Sequence, residues 1–127
     1  MSIDFDDVQR TAVTWIALHS LPEESPEREV LFWAFSSVSD LIHEDPEKGW
    51  QMIEEIRRRD GSDHVLSNLA AGPLEDLLSS HGSQFIDRIE AICEDDQQLR
   101  KLLGAVWQNG MPDPLWARIK AVAAPSW

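Results

Sequence analysis

What most constrains this chain is an unbroken succession of cap, apolar stripe and breaker from Asp4 to Ala124. Val8, Ala12, Trp15, Ile16 and His19 share one face of a first helix, with Asp4, Asp6 and Asp7 at its start and Leu21-Pro22 at its end. Ser25-Pro26 is a cap followed by a proline at the first helical position, where no hydrogen-bond donor is lost. Leu31, Ala34, Phe35, Val38, Leu41 and Ile42 form the stripe that follows. Asp45-Pro46 starts a third helix carrying Trp50, Ile53 and Ile56, and Gly61 stops it.

The second half reads the same way. Ser62-Asp63 opens a short helix to about Ala71, Gly72-Pro73 breaks it and starts another, and His81-Gly82 closes that one. Ser83 caps a stripe of Phe85, Ile86, Ile89, Ile92 and Cys93, and Asp95-Asp96 caps one of Leu99, Leu102, Leu103 and Val106. Asn109-Gly110-Met111-Pro112 is a turn before a last helix starting at Asp113-Pro114. Period-two alternation is sustained nowhere. The chain thus reads as one all-α domain over residues 1–127, with about eight short helices closing into a bundle or stacking as solenoid-like hairpins.

Charge narrows the partners. The net charge is -12, and between Gly61 and Asp96 eight residues are acidic and only Arg88 is basic. Such a surface repels nucleic acid and anionic membranes and attracts basic proteins. Cys93 is the lone cysteine, which excludes an internal disulfide and a cysteine-built zinc site and reads as an inert buried thiol. The start of the chain lacks a signal-peptide pattern and no apolar run approaches the ~18 residues of a membrane span, so a cytoplasmic protein is expected.

No catalytic, cofactor or metal motif stands out. His19, His43, His64 and His81 lack metal-site spacing, and three of them read as groups near helix C-termini that bond the last carbonyls. Glu75 and Asp76 are adjacent on a helix, point in different directions, and read first as partners of the helix dipole. A small enzyme built on Glu75, Asp76 and His81 is the least favoured reading. Arg57-Arg58-Arg59 reads as a solvated helix C-terminus rather than a phosphate site. Of the six tryptophans, Trp15 and Trp50 lie on apolar stripes, whereas Trp33, Trp107, Trp116 and Trp127 lie beside or off them. At least one of Trp33, Trp107 and Trp116 is expected to be exposed as an anchor for a partner.

Leu69-Ala-Ala-Gly-Pro-Leu-Glu-Asp-Leu-Leu78, then His81-Gly82, Ile89-Glu90 and Leu102-Leu103-Gly104-Ala105-Val106-Trp107, resemble the core of a bacterial all-α domain family of unknown function. The resemblance covers roughly residues 45–118 and implies an all-α fold and a bacterial origin, not a reaction. Some relatives are encoded among toxin and defence genes, which favours a binding role. The expected function is an acidic protein-binding module, for instance an immunity protein or inhibitor masking a basic surface of a nuclease-type effector. Its contact residues would be Glu75, Asp76, Glu90, Trp33, Trp107 and Trp116. The alternative is a non-inhibitory helical adaptor.

Overall fold

The computed structural model describes residues 5–125, and side chains from Asp7 onward. Asp4, Trp127 and the side chain of Asp6 lie outside the described residues. The regular elements among those described are all helical: α1 (Phe5–Ser20), α2 (Glu27–Leu31), α3 (Trp33–Glu44), α4 (Pro46–Arg59), α5 (Asp63–Leu69), a π turn (Ala70–Leu74), α6 (Glu75–Cys93), α7 (Gln97–Leu103) and α8 (Asp113–Val122). Three starts use the side chains that the sequence points to. Asp45 accepts from the Lys48 N–H, Ser62 from the Val65 N–H and Asp96 from the Leu99 N–H. Each bond satisfies an amide that the first helical turn leaves open.

Two expected breaks turn out to be joints inside one long helical run. Proline in an α-helix lacks a donor and crowds the carbonyl four residues back. Around Gly72-Pro73 the chain answers with a wider π turn and continues into α6. Gly72 eases this too, because a Cβ before proline would clash with the proline ring in a helical conformation. Likewise, α6 does not stop at His81-Gly82; it kinks at His81 (φ -139°, ψ 19°) and runs on, so Ser83 caps nothing. The expected second helix is instead two. Phe32 separates α2 from α3, and the Ser25 hydroxyl bonds the Glu27 carboxylate rather than a backbone amide.

The helices close into a bundle, not a solenoid. In a solenoid each hairpin meets only its neighbours, whereas α1 packs on α3, α4 and α5, and α4 packs on α1, α3, α5 and α6. Trp15, Ile42, Ile53, Leu77, Phe85 and Ile119 belong to one continuous buried cluster. Burying each such side chain contributes about 1.5–3 kcal/mol. At Gly49 a Cβ would lie 3.0 Å from the Ile42 backbone, so the missing side chain lets α3 and α4 approach closely.

Within the arginine run Arg58 and Arg59 are exposed, as expected of a helix C-terminus, but Arg57 is not solvated. Arg57 is buried and forks onto Asp96 (2.8 and 3.1 Å), Glu54 (3.0 and 3.2 Å) and Gln98 (3.2 Å), tying the end of α4 to the start of α7. Arg58 and Arg59 both bond the buried Glu55. Burial opposes ionisation of Glu55, yet the two guanidinium partners outweigh it and hold its pKa below the usual carboxylate value.

Candidate partner-binding surface

Most of the carboxylates between Asp63 and Asp96 serve the fold. Asp63 pairs with Lys101, Asp96 with Arg57, and both Asp87 and Glu90 with Arg118. Bonding to Arg118 also draws the Glu90 pKa down. Glu75, expected on the surface, is buried. It accepts the backbone N–H of Trp107 at 2.9 Å and a bond from the Asn109 amide. The physical reason is the loop after α7. Its amides lie against the start of α6 and need an acceptor there, so the acid turns inward.

Successive residues of a helix point about 100° apart, and Asp76 faces elsewhere. It lines a small notch with Trp15, Phe35, Val38, Gly72 and Pro73. Neither Glu75 nor His81 lines that notch, so the three residues of the enzyme reading do not share it. His81 sits at the α6 kink with a buried Nε2 that has no hydrogen-bond partner. Among the described residues, no group of three His, Cys, Asp or Glu side chains has the arrangement to hold a metal ion.

The tryptophans divide. Trp107 is 76% exposed and Trp33 39%, whereas Trp116 is half-buried, packed against the core beneath Lys120. Trp107 and Trp116 border one open groove together with Gln108 and Lys120. Trp33 is far from them in sequence and holds the Arg10 guanidinium 5.3 Å from its ring.

The surface on α2 and the start of α3 was marked in the sequence by Trp33 alone; Val30, Phe32 and Phe35 were missed. Val30, Phe32, Trp33 and Phe35 are all exposed there, and Phe32 and Phe35 stack at 5.2 Å. Phe35 was expected in the core, but the bend at Phe32 leaves Ala34, Val38, Leu41 and Ile42 as the buried side of α3. Glu23, Glu24, Glu27, Glu29, Asp40 and Glu44 are exposed along the same segment. The one lysine or arginine from Leu21 to Glu44, Arg28, is turned onto the Leu18 and Leu21 carbonyls. The signal was present in the sequence. A run of Val-Leu-Phe-Trp-Ala-Phe is too apolar to be buried on one helical face.

Beneath this surface lies a histidine with unusual surroundings. The His19 ring packs 4.1 Å from Trp15, its Nε2 is buried without a partner, and His64 Nε2 bonds the His19 carbonyl. Burial, then the charges of Arg28 and His64, lower its pKa from 6.5 to about 4, against an opposing Asn68 hydrogen bond. His43 alone of the three predicted C-terminal histidines bonds a helix carbonyl, that of Ser39 at 2.8 Å.

A family model described as "Family of unknown function (DUF6869)" matches residues 21–126. The chain belongs to that family. No curated protein and no solved structure matches it significantly. The family's span takes in α2, α3, the π turn and the Trp107 loop, so the exposed apolar face lies inside it, as does the lining of the notch apart from Trp15. No helix among the described residues is long and apolar enough to cross a membrane.

Proposed function

We propose that this member of DUF6869 is a stoichiometric binding module for a protein that presents a basic surface, and that α2 with the start of α3 is its contact face. The observation that carries the reading is the pairing of Val30, Phe32, Trp33 and Phe35 with six exposed acids on one segment whose only lysine or arginine, Arg28, is turned onto the end of α1. Exposed apolar side chains rimmed by charge of one sign are the makings of a desolvated anchor inside a steering field. An immunity protein or inhibitor covering the basic active site of a nuclease-type effector is the form of this module we favour. It would work in the cytoplasm, where a lone buried thiol such as Cys93 stays reduced.

The test is affinity capture from the native cell with three baits: the wild-type chain, a Phe32→Ser/Phe35→Ser variant and a Trp107→Ala variant. A basic protein retained by the wild type and by Trp107→Ala, but lost with the phenylalanine variant, supports the reading. Retention by the phenylalanine variant with loss on Trp107→Ala moves the contact to the groove beside Trp116 and refutes it.

A further inference from the structure

We infer that the notch between α3 and the π turn is a socket for one arginine side chain of the basic partner. The inference rests on the binding reading above and adds the residue type that the surface selects. The notch offers about 50 Å³, enough for the end of one side chain. Phe35 supplies an exposed aromatic ring to it above the buried Trp15, and Asp76 supplies a carboxylate that makes no hydrogen bond or ion pair among the described residues. Gly72 and Pro73 complete it, and a Cβ on Gly72 would meet nothing within 4 Å, so no side chain closes the space there.

The protein contains a filled counterpart of this arrangement. Arg88 lies with its guanidinium 5.0 Å from the Phe85 ring centroid, and Glu47 takes its two terminal nitrogens at 2.8 and 2.9 Å. An aromatic ring beside a carboxylate suits the flat guanidinium, which stacks and donates two parallel bonds at once. Phe35 and Asp76 repeat the ring and the carboxylate without the arginine. An apolar occupant would strip water from Asp76 and give nothing back. An acidic one would be repelled. Lysine would satisfy the charge but neither stack nor fork. The socket adjoins the exposed Phe32–Phe35 pair, so an arginine entering it brings its neighbours onto the apolar face.

The experiment selects displayed random peptides on the full-length protein. It then measures the affinity of the strongest binder and of its arginine→citrulline form for the wild type and for Asp76→Asn. The Asp76 carboxylate has no internal partner, so this variant keeps the fold, which circular dichroism checks. The enriched peptides should share an arginine, and citrulline should weaken binding about tenfold on the wild type and hardly at all on Asp76→Asn. Peptides without a shared arginine, or a citrulline loss equal on both proteins, overturn the socket. If binding then still falls on Phe32→Ser, the contact face stands without it. Enrichment of non-basic peptides, or of none, overturns both readings.

Discussion

The Glu75 carboxylate accepts the Trp107 backbone N–H at 2.9 Å across 32 residues of sequence, and so one buried acid holds the loop that displays the most exposed tryptophan described. Glu75→Ala leaves that amide and the Asn109 side chain without their acceptor. The expected loss is about 1–3 kcal/mol of stability. Urea denaturation measures it, and faster hydrogen exchange at the Trp107 amide localises it. Trp107→Ala should leave the melting temperature nearly unchanged, because little of that side chain is covered.

Arg57 is the other fixed point. Four of its five hydrogen bonds go to Glu54 and Asp96 and the fifth to Gln98, and Asp96 also caps α7. Arg57→Ala should cost about 2–4 kcal/mol, somewhat less than a fully buried pair because both carboxylates keep some solvent. Arg57→Lys should recover only part of this, since an ammonium cannot fork onto two acids. An unchanged denaturation midpoint for Arg57→Ala would make the run the solvated helix end that the sequence suggested.

These two residues show where sequence reading stops. Helix starts were legible, because Asp45, Ser62 and Asp96 cap through bonds three residues away. The all-α fold followed from the same local signals. Glu54 is a local partner of Arg57, but Trp107 for Glu75 and Asp96 for Arg57 lie 32 and 39 residues off, and no local pattern announces them. For the same reason charge counting did not show that Asp63, Asp87, Glu90 and Asp96 are paired in space with Lys101, Arg118 and Arg57. Gly72-Pro73 and His81-Gly82 misled differently. Breaker residues read as ends become a π turn and a kink when flanking helices are held by the same core.

His19 makes stability depend on pH. Its native pKa, about 4, lies below the ordinary 6.5, so the unfolded chain binds more protons in between. The stabilisation is complete above pH 6.5 and is lost as pH falls toward 4. Allowing for solvent that still reaches the ring, the loss by pH 5 should be about 1 kcal/mol. His19→Gln cannot titrate, so its stability should change less than the wild type's between pH 7 and 5. Parallel pH profiles would show that the ring titrates normally.

Two glycines should respond oppositely to the same change. A Cβ at Gly82 would run into the Leu115 side chain, so the packing of Leu115 between α6 and α8 would have to shift. Gly82→Ala should cost about 1–3 kcal/mol by overpacking. At Gly72 the backbone is not left-handed, since none of the described glycines has positive φ, and the space around it is open. Gly72→Ala should change stability by less than about 1 kcal/mol, the helical gain offsetting the clash with the proline ring. Thermal melts of the two variants side by side decide the matter.

The partner's kinetics should separate the two halves of the proposed face. Exposed charge acts mainly on the encounter, at distances that salt screens within about 8 Å at physiological ionic strength. Glu27→Lys/Glu29→Lys should therefore slow association at low salt and converge with the wild type at high salt. Glu27 bonds the Ser25 hydroxyl and its own backbone N–H, and Glu29 has no side-chain partner, so the fold should survive the double reversal. A reversal at Glu75 would not be a fair test, because its carboxylate is internal. Phe32→Ala removes buried contact area instead, and should speed dissociation at every salt concentration with little change in the association rate. Surface plasmon resonance at low and high salt reads both rates. A dissociation rate unmoved by Phe32→Ala, together with association indifferent to salt, would take the partner off this face.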